Sequence, residues 1–488
     1  MQSFDAIVIG AGFAGINQLY QLRQLGLSVK LFEKAPDVGE HLLTYPWPTH
    51  VLPQKETQAY MNHVVKRHNL RQHMQFNSEL KSANFDKSDS TWIILLSTGE
   101  SFKATYLILA TGRFNKIVWP SIPGQEKFAG EQYHTGVWNE YRDLKGKRVG
   151  IVGTGSSGAG ILVGLAKEVK QLVSFQRSAQ YNFNKNYEDI FRKVRRCGIG
   201  SGFDPVPADY TTFSVSAEER EKVFERNWNS VWGLAFTFDS FSDVMTNEAA
   251  NREVCYFLRK KIAQIVQDPV KREKLMPPAE ALYDKRPVCS SGYYEAFNQD
   301  NVDVGIQTTE KLYELDVIIY ATGYESDGTW ADMTVAGPDG TTLGEHWAEG
   351  STSYLGVLKA GFPNLFFVIG PQSSLANIPS HSEFHAEMIG KLISKAEETK
   401  KEEVPASDNK TVLVDATQQA EDDWVKVCNA VIQQTMYYTG ESYLFSDHNT
   451  TRKPKSGRHA LWFMGGYDKY IDKVQEAVDA YRGFTFTY

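Results

Sequence analysis

Cysteine is scarce in this sequence, which has four among 488 residues, and the four lie far apart. None of them forms a CxxC or CxxxxC pair or has the spacing of a metal-ligand set. The pattern therefore predicts no disulfide framework and no metal site, and it excludes a disulfide reductase that depends on a close cysteine pair. The cysteines are Cys197, Cys255, Cys289 and Cys428.

The sequence also lacks any apolar run that approaches the length of a membrane span. Its formal net charge is −7, and its lysines and arginines are spread along the chain. This composition predicts neither a nucleic-acid partner nor stable membrane insertion. The first glycine motif has its first glycine at Gly10, so no targeting segment is expected before it. Together with the cysteine pattern, this favours a cytoplasmic protein.

Two glycine-rich motifs are present, IVIGAGFAG and VGIVGTGSSG, and each follows a short apolar run and precedes a helical pattern. This strand–turn–helix context is typical of dinucleotide binding, in which the helix N-terminus and its backbone N–H groups face a pyrophosphate. The residues predicted to bind cofactor are Gly10, Gly12, Phe13, Ala14 and Gly15 in the first motif and Gly153, Thr154, Gly155, Ser156, Ser157 and Gly158 in the second.

The end of the next strand predicts which nucleotide each motif binds. Glu33, followed by Lys34, lies eighteen residues after Gly15, where a carboxylate accepts hydrogen bonds from ribose hydroxyls and repels a 2′-phosphate. Arg177, followed by Ser178, lies nineteen residues after Gly158, where a guanidinium suits a 2′-phosphate. The first site is therefore predicted to bind FAD and the second NADPH. A solvated strand-end cation is the alternative for Arg177.

An apolar strand followed by Ala-Thr-Gly occurs twice, as YLILATG and as DVIIYATG, and the repetition indicates two related units. These turns add Thr111, Gly112, Ala321, Thr322 and Gly323 to the predicted cofactor contacts. The sequence thus predicts an α/β fold with two Rossmann-like dinucleotide-binding domains, for FAD and NADPH, and a helical insertion. The predicted boundaries are 1–140 and 375–488 for the FAD domain, 141–206 and 286–374 for the NADPH domain, and 207–285 for the insertion. A long helix is predicted from residue 380 to residue 400.

The segment FAGEQYHTGVWN lies between the two units and contains Phe128, Gly130, His134 and Trp138, followed by Asn139. It resembles the fingerprint F-x-G-x-x-x-H-x-x-x-W-[P/D] of Baeyer–Villiger monooxygenases and related class B flavoprotein monooxygenases, from which Asn139 departs. The segments FQRSAQY, KRPVCSSGYYEAFN, DVIIYATGY and PNLFFVIGPQSSLAN resemble other family segments in the same order. The resemblance covers most of the chain.

The resemblance implies that NADPH reduces FAD, that O₂ adds to the reduced flavin, and that the C4a-peroxyflavin oxidises an organic substrate. It implies that Arg286 is the catalytic cation, that Lys285 binds the NADP phosphate, and that Asn377 contacts a cofactor. His134 is expected to couple the cofactor domains, and Trp138 to pack. Without the resemblance, Lys285 and Arg286 would be interpreted as a solvated basic pair.

The sequence departs from the family around the reacting face of the flavin. In residues 37–54, DVGEHLLTYPWPTHVLPQ, Tyr45 and Pro46 remain, and Tyr45 is a predicted cofactor contact. The aspartate that orients the family's arginine is missing, and its place falls near Val51. The other departures are Ser290 in place of an aspartate, Tyr443 near a family tryptophan, and Asp447 or His448 as candidate pocket residues.

The predicted function is NADPH-consuming, FAD-dependent monooxygenation of a small ketone-like substrate with O₂, most simply Baeyer–Villiger oxidation in secondary metabolism. The departures keep other reactions of the same fold open: hydroxylation, epoxidation, heteroatom oxidation, an oxidase, or a redox-neutral rearrangement. A redox-silent flavin-binding isomerase, cyclase or scaffold and an O₂-independent dehydrogenase are further alternatives. The substrate is not encoded in any motif, and the oligomeric state, a homo-oligomer included, is left open.

Overall fold

The computed structural model describes residues 1–38, 54–138, 143–183, 206–230, 234–280, 282–306, 312–325, 333–405, 410–438 and 459–488. Several residues singled out from the sequence lie outside these ranges, namely Tyr45, Pro46, Val51, Asn139, Cys197, Tyr443, Asp447 and His448. The predictions that concern them therefore remain predictions.

Seventeen strands are described. They are β1 (Gln2–Ile9), β2 (Val29–Phe32), β3 (Met74–Gln75), β4 (Leu80–Asp86), β5 (Thr91–Leu96), β6 (Ser101–Leu109), β7 (Glu131–His134), β8 (Arg148–Val152), β9 (Gln171–Gln176), β10 (Asn182–Phe183), β11 (Val288–Cys289), β12 (Val302–Ile306), β13 (Val317–Tyr320), β14 (Thr334–Ala336), β15 (Leu365–Phe367), β16 (Leu413–Ala416) and β17 (Phe484–Thr487).

The α-helices within the same ranges are α1 (Phe13–Gln24), α2 (Gln54–Arg67), α3 (Ser156–Leu165), α4 (Ala217–Trp228), α5 (Ala235–Phe238), α6 (Glu248–Ile265), α7 (Pro269–Leu275), α8 (Tyr293–Ala296), α9 (Leu343–His346), α10 (Ile378–Glu403), α11 (Gln418–Ile432) and α12 (Tyr467–Asp479). Short 3₁₀ helices occupy Arg71–His73, Gln125–Lys127, Thr135–Val137 and Met436–Tyr438.

The first sheet has the order β14-β4-β5-β6-β1-β2-β3, and β15 also pairs with β6. Strands β6, β1, β2 and β3 are parallel, whereas β4, β5 and β6 form an antiparallel meander. Along β1 the side chains alternate between two hydrophobic cores, with Ala6 and Val8 in one and Ile7 and Ile9 in the other. A strand that is buried on both faces needs an uninterrupted apolar run, which explains the sequence AIVI.

The second sheet has the order β12-β9-β8-β13-β7, and all its pairings are parallel. Helix α3 connects β8 to β9 just as α1 connects β1 to β2. Each unit therefore has a βαβ crossover with its glycine motif between the strand and the helix. The predicted fold class, with two Rossmann-like units, is confirmed.

The domain boundary predicted at residue 374 differs from the observed sheets. Strand β14 pairs with β4, and β15 pairs with β6, so both strands belong to the first sheet. The chain thus returns to the first unit before residue 334, although residues 286–374 were assigned to the NADPH domain. Both strands have only three residues, and their parallel partners lie far away in sequence.

Helices α4 to α7 lie within the segment predicted to be a helical insertion, and their aromatic residues pack together around Phe224, Phe236 and Phe257. Helix α10, predicted from 380 to 400, packs against α1 of the first unit. The C-terminal FTFT forms β17, antiparallel to β16. None of the helices in the described ranges is long and apolar enough to cross a membrane.

Candidate active site

The first glycine of each motif is in contact with the Ala-Thr-Gly turn of its own unit. Gly10 has a φ of +107° and Gly153 a φ of +105°, a conformation that favours glycine. A Cβ on Gly10 would lie 2.6 Å from the Ala110 carbonyl oxygen, and one on Gly153 would lie 2.5 Å from that of Ala321. The two sequence repeats therefore meet in space, once in each unit.

The second and third glycines of the two motifs occupy matching environments. A Cβ on Gly15 would lie 1.8 Å from the carbonyl oxygen of Gly10, and one on Gly158 would lie 2.1 Å from that of Gly153. By contrast, a Cβ on Gly12 or Gly155 would meet no atom within 4 Å. Both of these residues are extended N-caps, and glycine has no side chain that could cap the helix. The open space beside each helix N-terminus, where the first N–H groups have no intrahelical partner, fits a pyrophosphate in each unit.

In the first unit, Glu33 lies at the end of β2. Its two carboxylate oxygens accept hydrogen bonds from the Ala11 N–H at 2.7 Å and the Ala35 N–H at 2.8 Å, which fix it beside the glycine turn. The Thr111 Oγ1 is buried and has no hydrogen-bond partner in the described structure. Because a buried hydroxyl without a partner is unfavourable, this atom marks a position where a bound ligand would supply the hydrogen bond. The residues fit FAD.

The remaining residues predicted for the first nucleotide lie around the same edge of the sheet. Phe13 and Ala14 are partly buried at the start of α1 and pack against the core. Lys34, Gly112 and Asn377 are exposed, and Asn377 is the N-cap of α10. Asn377 makes no side-chain capping bond to the described residues, so its amide is available to a ligand.

In the second unit, the structure brings together cations from two distant segments. Arg177, Ser178 and Lys285 line one cavity of about 290 Å³, and the Lys285 ammonium donates a hydrogen bond to the Ser178 hydroxyl. The parallel pairing of β10 with β11 brings these cations together, because it places the segment after Arg177 beside the segment after Lys285. Two cations and a hydroxyl suit a 2′-phosphate, so the residues fit NADPH.

Two tyrosines that sequence reasoning missed form the apolar side of this cavity. Tyr181 donates a hydrogen bond from its hydroxyl to the Pro278 carbonyl, and Tyr283 is fully buried beside it. Burial raises the pKa of both phenols, which therefore stay neutral at physiological pH. Tyr181 lies four residues after Arg177 in FQRSAQY, which is the only sequence signal that could have indicated it.

Arg286, the predicted catalytic residue, lies beside this cavity but does not line it, whereas its neighbours Lys285 and Pro287 do. The Gln180 side-chain amide donates to the Arg286 carbonyl at 2.5 Å and fixes its backbone. The guanidinium is exposed and makes no hydrogen bond or ion pair with the described residues. No carboxylate in the described ranges orients it.

The fingerprint segment and the linker before it both contact the second unit, the former through the pairing of β7 with β13. His134 ends β7, and the Thr322 hydroxyl donates to the Val118 carbonyl at 2.5 Å, while the Val118 N–H donates to the Gly323 carbonyl at 3.0 Å. Burial lowers the pKa of His134, against the effect of a hydrogen bond with the Val118 backbone, and so favours the neutral ring. Trp138 packs against Tyr133, with ring centroids 5.7 Å apart.

Comparison with known proteins identifies the family. A family model described as pyridine nucleotide-disulphide oxidoreductase matches residues 4–197. A phenazine N-monooxygenase from Lysobacter antibioticus is 37% identical, and the alignment covers 99% of this chain and 96% of that protein. A cyclohexanone 1,2-monooxygenase from Acinetobacter sp. is 33% identical with the same coverage. The chain belongs to the Baeyer–Villiger monooxygenase family of flavin-dependent monooxygenases.

A crystal structure supports the same assignment for this monooxygenase. Cyclohexanone monooxygenase from Rhodococcus sp. Phi1 bound to NADP⁺ superposes with a TM-score of 0.89 at 32% identity, over 100% of this chain and 99% of that one. The enzyme depends on FAD and NADPH and inserts one oxygen atom from O₂ into an organic substrate. When bound, NADPH supplies the hydride and FAD supplies the redox chemistry that activates O₂.

The cavity of Arg177 predicts the coenzyme preference of this monooxygenase. Arg177→Ala should raise the KM for NADPH roughly tenfold or more and leave the KM for NADH nearly unchanged, because only NADPH carries the 2′-phosphate. Steady-state kinetics with both coenzymes measures this, and Lys167→Ala, which removes an exposed cation just after α3 that is not among the predicted cofactor contacts, is the control. Equal effects of Arg177→Ala on both coenzymes would show that Arg177 does not bind the phosphate.

Proposed function

We propose that this monooxygenase carries out Baeyer–Villiger oxidation, in which one oxygen atom is inserted next to the carbonyl carbon of a ketone to give an ester or lactone. NADPH, a proton and O₂ are consumed, and NADP⁺ and water leave, so the second oxygen atom ends in water. The observation that carries the proposal is the pairing of β10 with β11, which places Arg286 beside the cavity of Arg177 and Lys285. The cyclohexanone monooxygenases among the relatives support a ketone substrate.

The residues of this chain then have separate tasks. Arg177, Ser178 and Lys285 hold the phosphate end of NADPH, and the glycine turns of both units leave room for the two pyrophosphates. Arg286 supplies a positive charge where negative charge develops on the reacting oxygen atoms. Its exposed guanidinium is free to turn toward the flavin side because no described side chain holds it.

A second candidate is N-oxidation of a nitrogen heterocycle. It is favoured by the 37% identity with the phenazine N-monooxygenase, which exceeds the 33% identity with the cyclohexanone 1,2-monooxygenase over the same share of the chain. The absence of the family's loop aspartate from the sequence agrees with a rebuilt reacting face. Under either reaction the substrate is a small organic molecule, and a role in secondary metabolism is part of the proposal.

Isotope labelling separates these functions. The purified flavoprotein is reduced anaerobically with NADPH and mixed with buffer containing ¹⁸O₂ and either cyclohexanone or phenazine. Baeyer–Villiger oxidation gives a lactone with one ¹⁸O atom, whereas N-oxidation gives a labelled N-oxide. Reoxidation of the flavin that releases only hydrogen peroxide with every ketone tested would contradict the proposed reaction and indicate an oxidase.

A further inference from the structure

Trp462 carries a hydrogen-bond donor that the described structure leaves unused. Only 4% of this residue is exposed, and its indole Nε1–H has no acceptor within the described ranges. Two other buried indoles are paired: Trp92 donates to the Pro363 carbonyl at 3.0 Å, and Trp424 to the Gln372 carbonyl at 3.3 Å. Because a buried N–H without an acceptor destabilises a protein, the Trp462 donor indicates a partner that the described residues do not supply.

The backbone around Trp462 is rigid. The Leu461 carbonyl accepts from the Gln372 N–H at 2.9 Å, and the Phe463 N–H donates to the Ser373 carbonyl at 3.0 Å. The Gln372 side-chain amide adds a bond to the Ala460 carbonyl at 3.3 Å. The backbone that carries the unpaired indole is therefore held on both sides of Trp462.

Arg113 contacts both the indole ring of Trp462 and the backbone of the preceding residue. Its guanidinium carbon lies 4.1 Å from the centroid of the Trp462 ring, and its Nη1 donates to the Leu461 carbonyl at 2.8 Å. Arg113 is 6% exposed and lies two residues after Thr111, whose buried hydroxyl is also unpaired. A cation stacked on an aromatic face in a desolvated place is a strong restraint on the orientation of the ring.

These neighbours connect Trp462 to two segments that adjoin predicted FAD contacts. One is the turn of Thr111 and Gly112 after β6, and the other is the segment Gln372–Ser374, which pairs with Phe463 and leads to Asn377. A ligand that reaches the Thr111 hydroxyl is thus close to the segment that contains Trp462. The positive charge of Arg113 over the ring favours a ligand atom with partial negative charge.

We propose that Trp462 donates its indole N–H to an sp² acceptor of a bound ligand, and that Arg113 is the residue that positions it. The acceptor is either the polar edge of the flavin ring or the carbonyl oxygen or ring nitrogen of the substrate. The substrate alternative rests on the proposed function, because it makes Trp462 a determinant of specificity for ketones and nitrogen heterocycles. The flavin alternative does not depend on the substrate.

Trp462→Phe is the test, because it keeps the ring that Arg113 stacks on and removes only the donor. In the holoenzyme, flavin-absorbance titrations measure the Kd for cyclohexanone and for phenazine without turnover, so they remain informative even if neither is oxidised. A roughly three- to tenfold weaker binding with unchanged flavin properties assigns the acceptor to the substrate. A shifted flavin spectrum and a lower flavin-release temperature assign it to FAD.

Trp92→Phe is the matched control, since it removes an indole donor that already has a partner. This control should lower the unfolding temperature and leave ligand binding unchanged. Trp462→Phe should keep the unfolding temperature of the ligand-free protein or raise it, because an unsatisfied donor is removed. If Trp462→Phe leaves both Kd values, the flavin spectrum and the flavin-release temperature at their wild-type values, the indole has no ligand and the proposal is wrong.

The role of Arg113 is tested by a double-mutant cycle. Arg113→Met should weaken binding of the same ligand by about the same factor as Trp462→Phe, and the double variant should show little further loss, because both changes remove one interaction. Arg113→Lys, which keeps the charge but not the planar stack, should restore binding only in part. Losses that add independently in the double variant would show that Arg113 does not position Trp462.

Discussion

Arg286→Ala should reduce oxygenation by about 100- to 1000-fold while FAD stays bound, which is the usual effect of removing one charged donor from a reacting centre. The flavin should remain because its predicted contacts, from Gly10 to Gly15 and around Thr111, are in the first unit. Arg286, by contrast, lies beside the cavity of the second unit. Reduction by NADPH should continue, and hydrogen peroxide should replace the oxygenated product. Stopped-flow absorbance with product analysis measures both.

Lys285→Ala is the control for this experiment, because it changes the adjacent cation. Lys285 donates to Ser178 within the cavity, so its loss should raise the KM for NADPH and leave the ratio of product to peroxide unchanged. Arg286→Lys should recover only part of the activity, because an ammonium lacks the fork of donors of a guanidinium. If the Arg286→Ala variant oxygenates its substrate as fast as the wild type does, Arg286 has no role in the reaction.

Glu421→Ala should lower the free energy of unfolding by about 3–5 kcal/mol, a large part of the stability of a typical domain. Glu421 in α11 is 1% exposed, and its Oε1 lies 2.6 Å from the ammonium of Lys359, which is 4% exposed. The same carboxylate accepts hydrogen bonds from the Thr352 hydroxyl at 2.7 Å and from the Ala360 N–H at 2.8 Å. Removal of Glu421 leaves a buried cation and two donors unpaired.

Chemical denaturation of the holoenzyme measures this loss, with Glu221→Ala as the control. Glu221 pairs with Lys260 across α4 and α6 at the surface, where both side chains are about half exposed, so its removal should change stability little. The double variant Glu421→Leu/Lys359→Met should regain part of the loss, because it no longer buries an unpaired charge. If the Glu421→Ala protein is as stable as the Glu221→Ala protein, the buried Glu421 carboxylate does not stabilise the fold.

Local patterns made the nucleotide-binding units predictable. The glycine spacing, Glu33 and Arg177 at the strand ends, and the two Ala-Thr-Gly turns each lie within one short stretch, and the chemistry of dinucleotide binding restricts their residue types. Family resemblance added Lys285 and Arg286. The helix predicted from 380 to 400 is observed as Ile378–Glu403, because a long segment with apolar residues at helical spacing has few alternatives.

Long-range pairing was beyond the reach of the sequence. Strands β10 and β11 have two residues each, and β14 and β15 three, so no periodicity can indicate them or their partners. For this reason the boundary at residue 374 was wrong, and Tyr181 and Tyr283 were not recognised as walls of the coenzyme cavity.

The sequence by itself determined that this chain binds two dinucleotides and belongs to its family, because those properties depend on residues that are neighbours along the chain. Only the tertiary structure decided which distant groups meet: Arg177 with Lys285, Glu421 with Lys359, and Arg113 with Trp462. Each of these arrangements depends on burial and on contacts between segments far apart in the chain. Such contacts form only when distant segments pack around a common core, so the spacing of residues along the chain does not predict them.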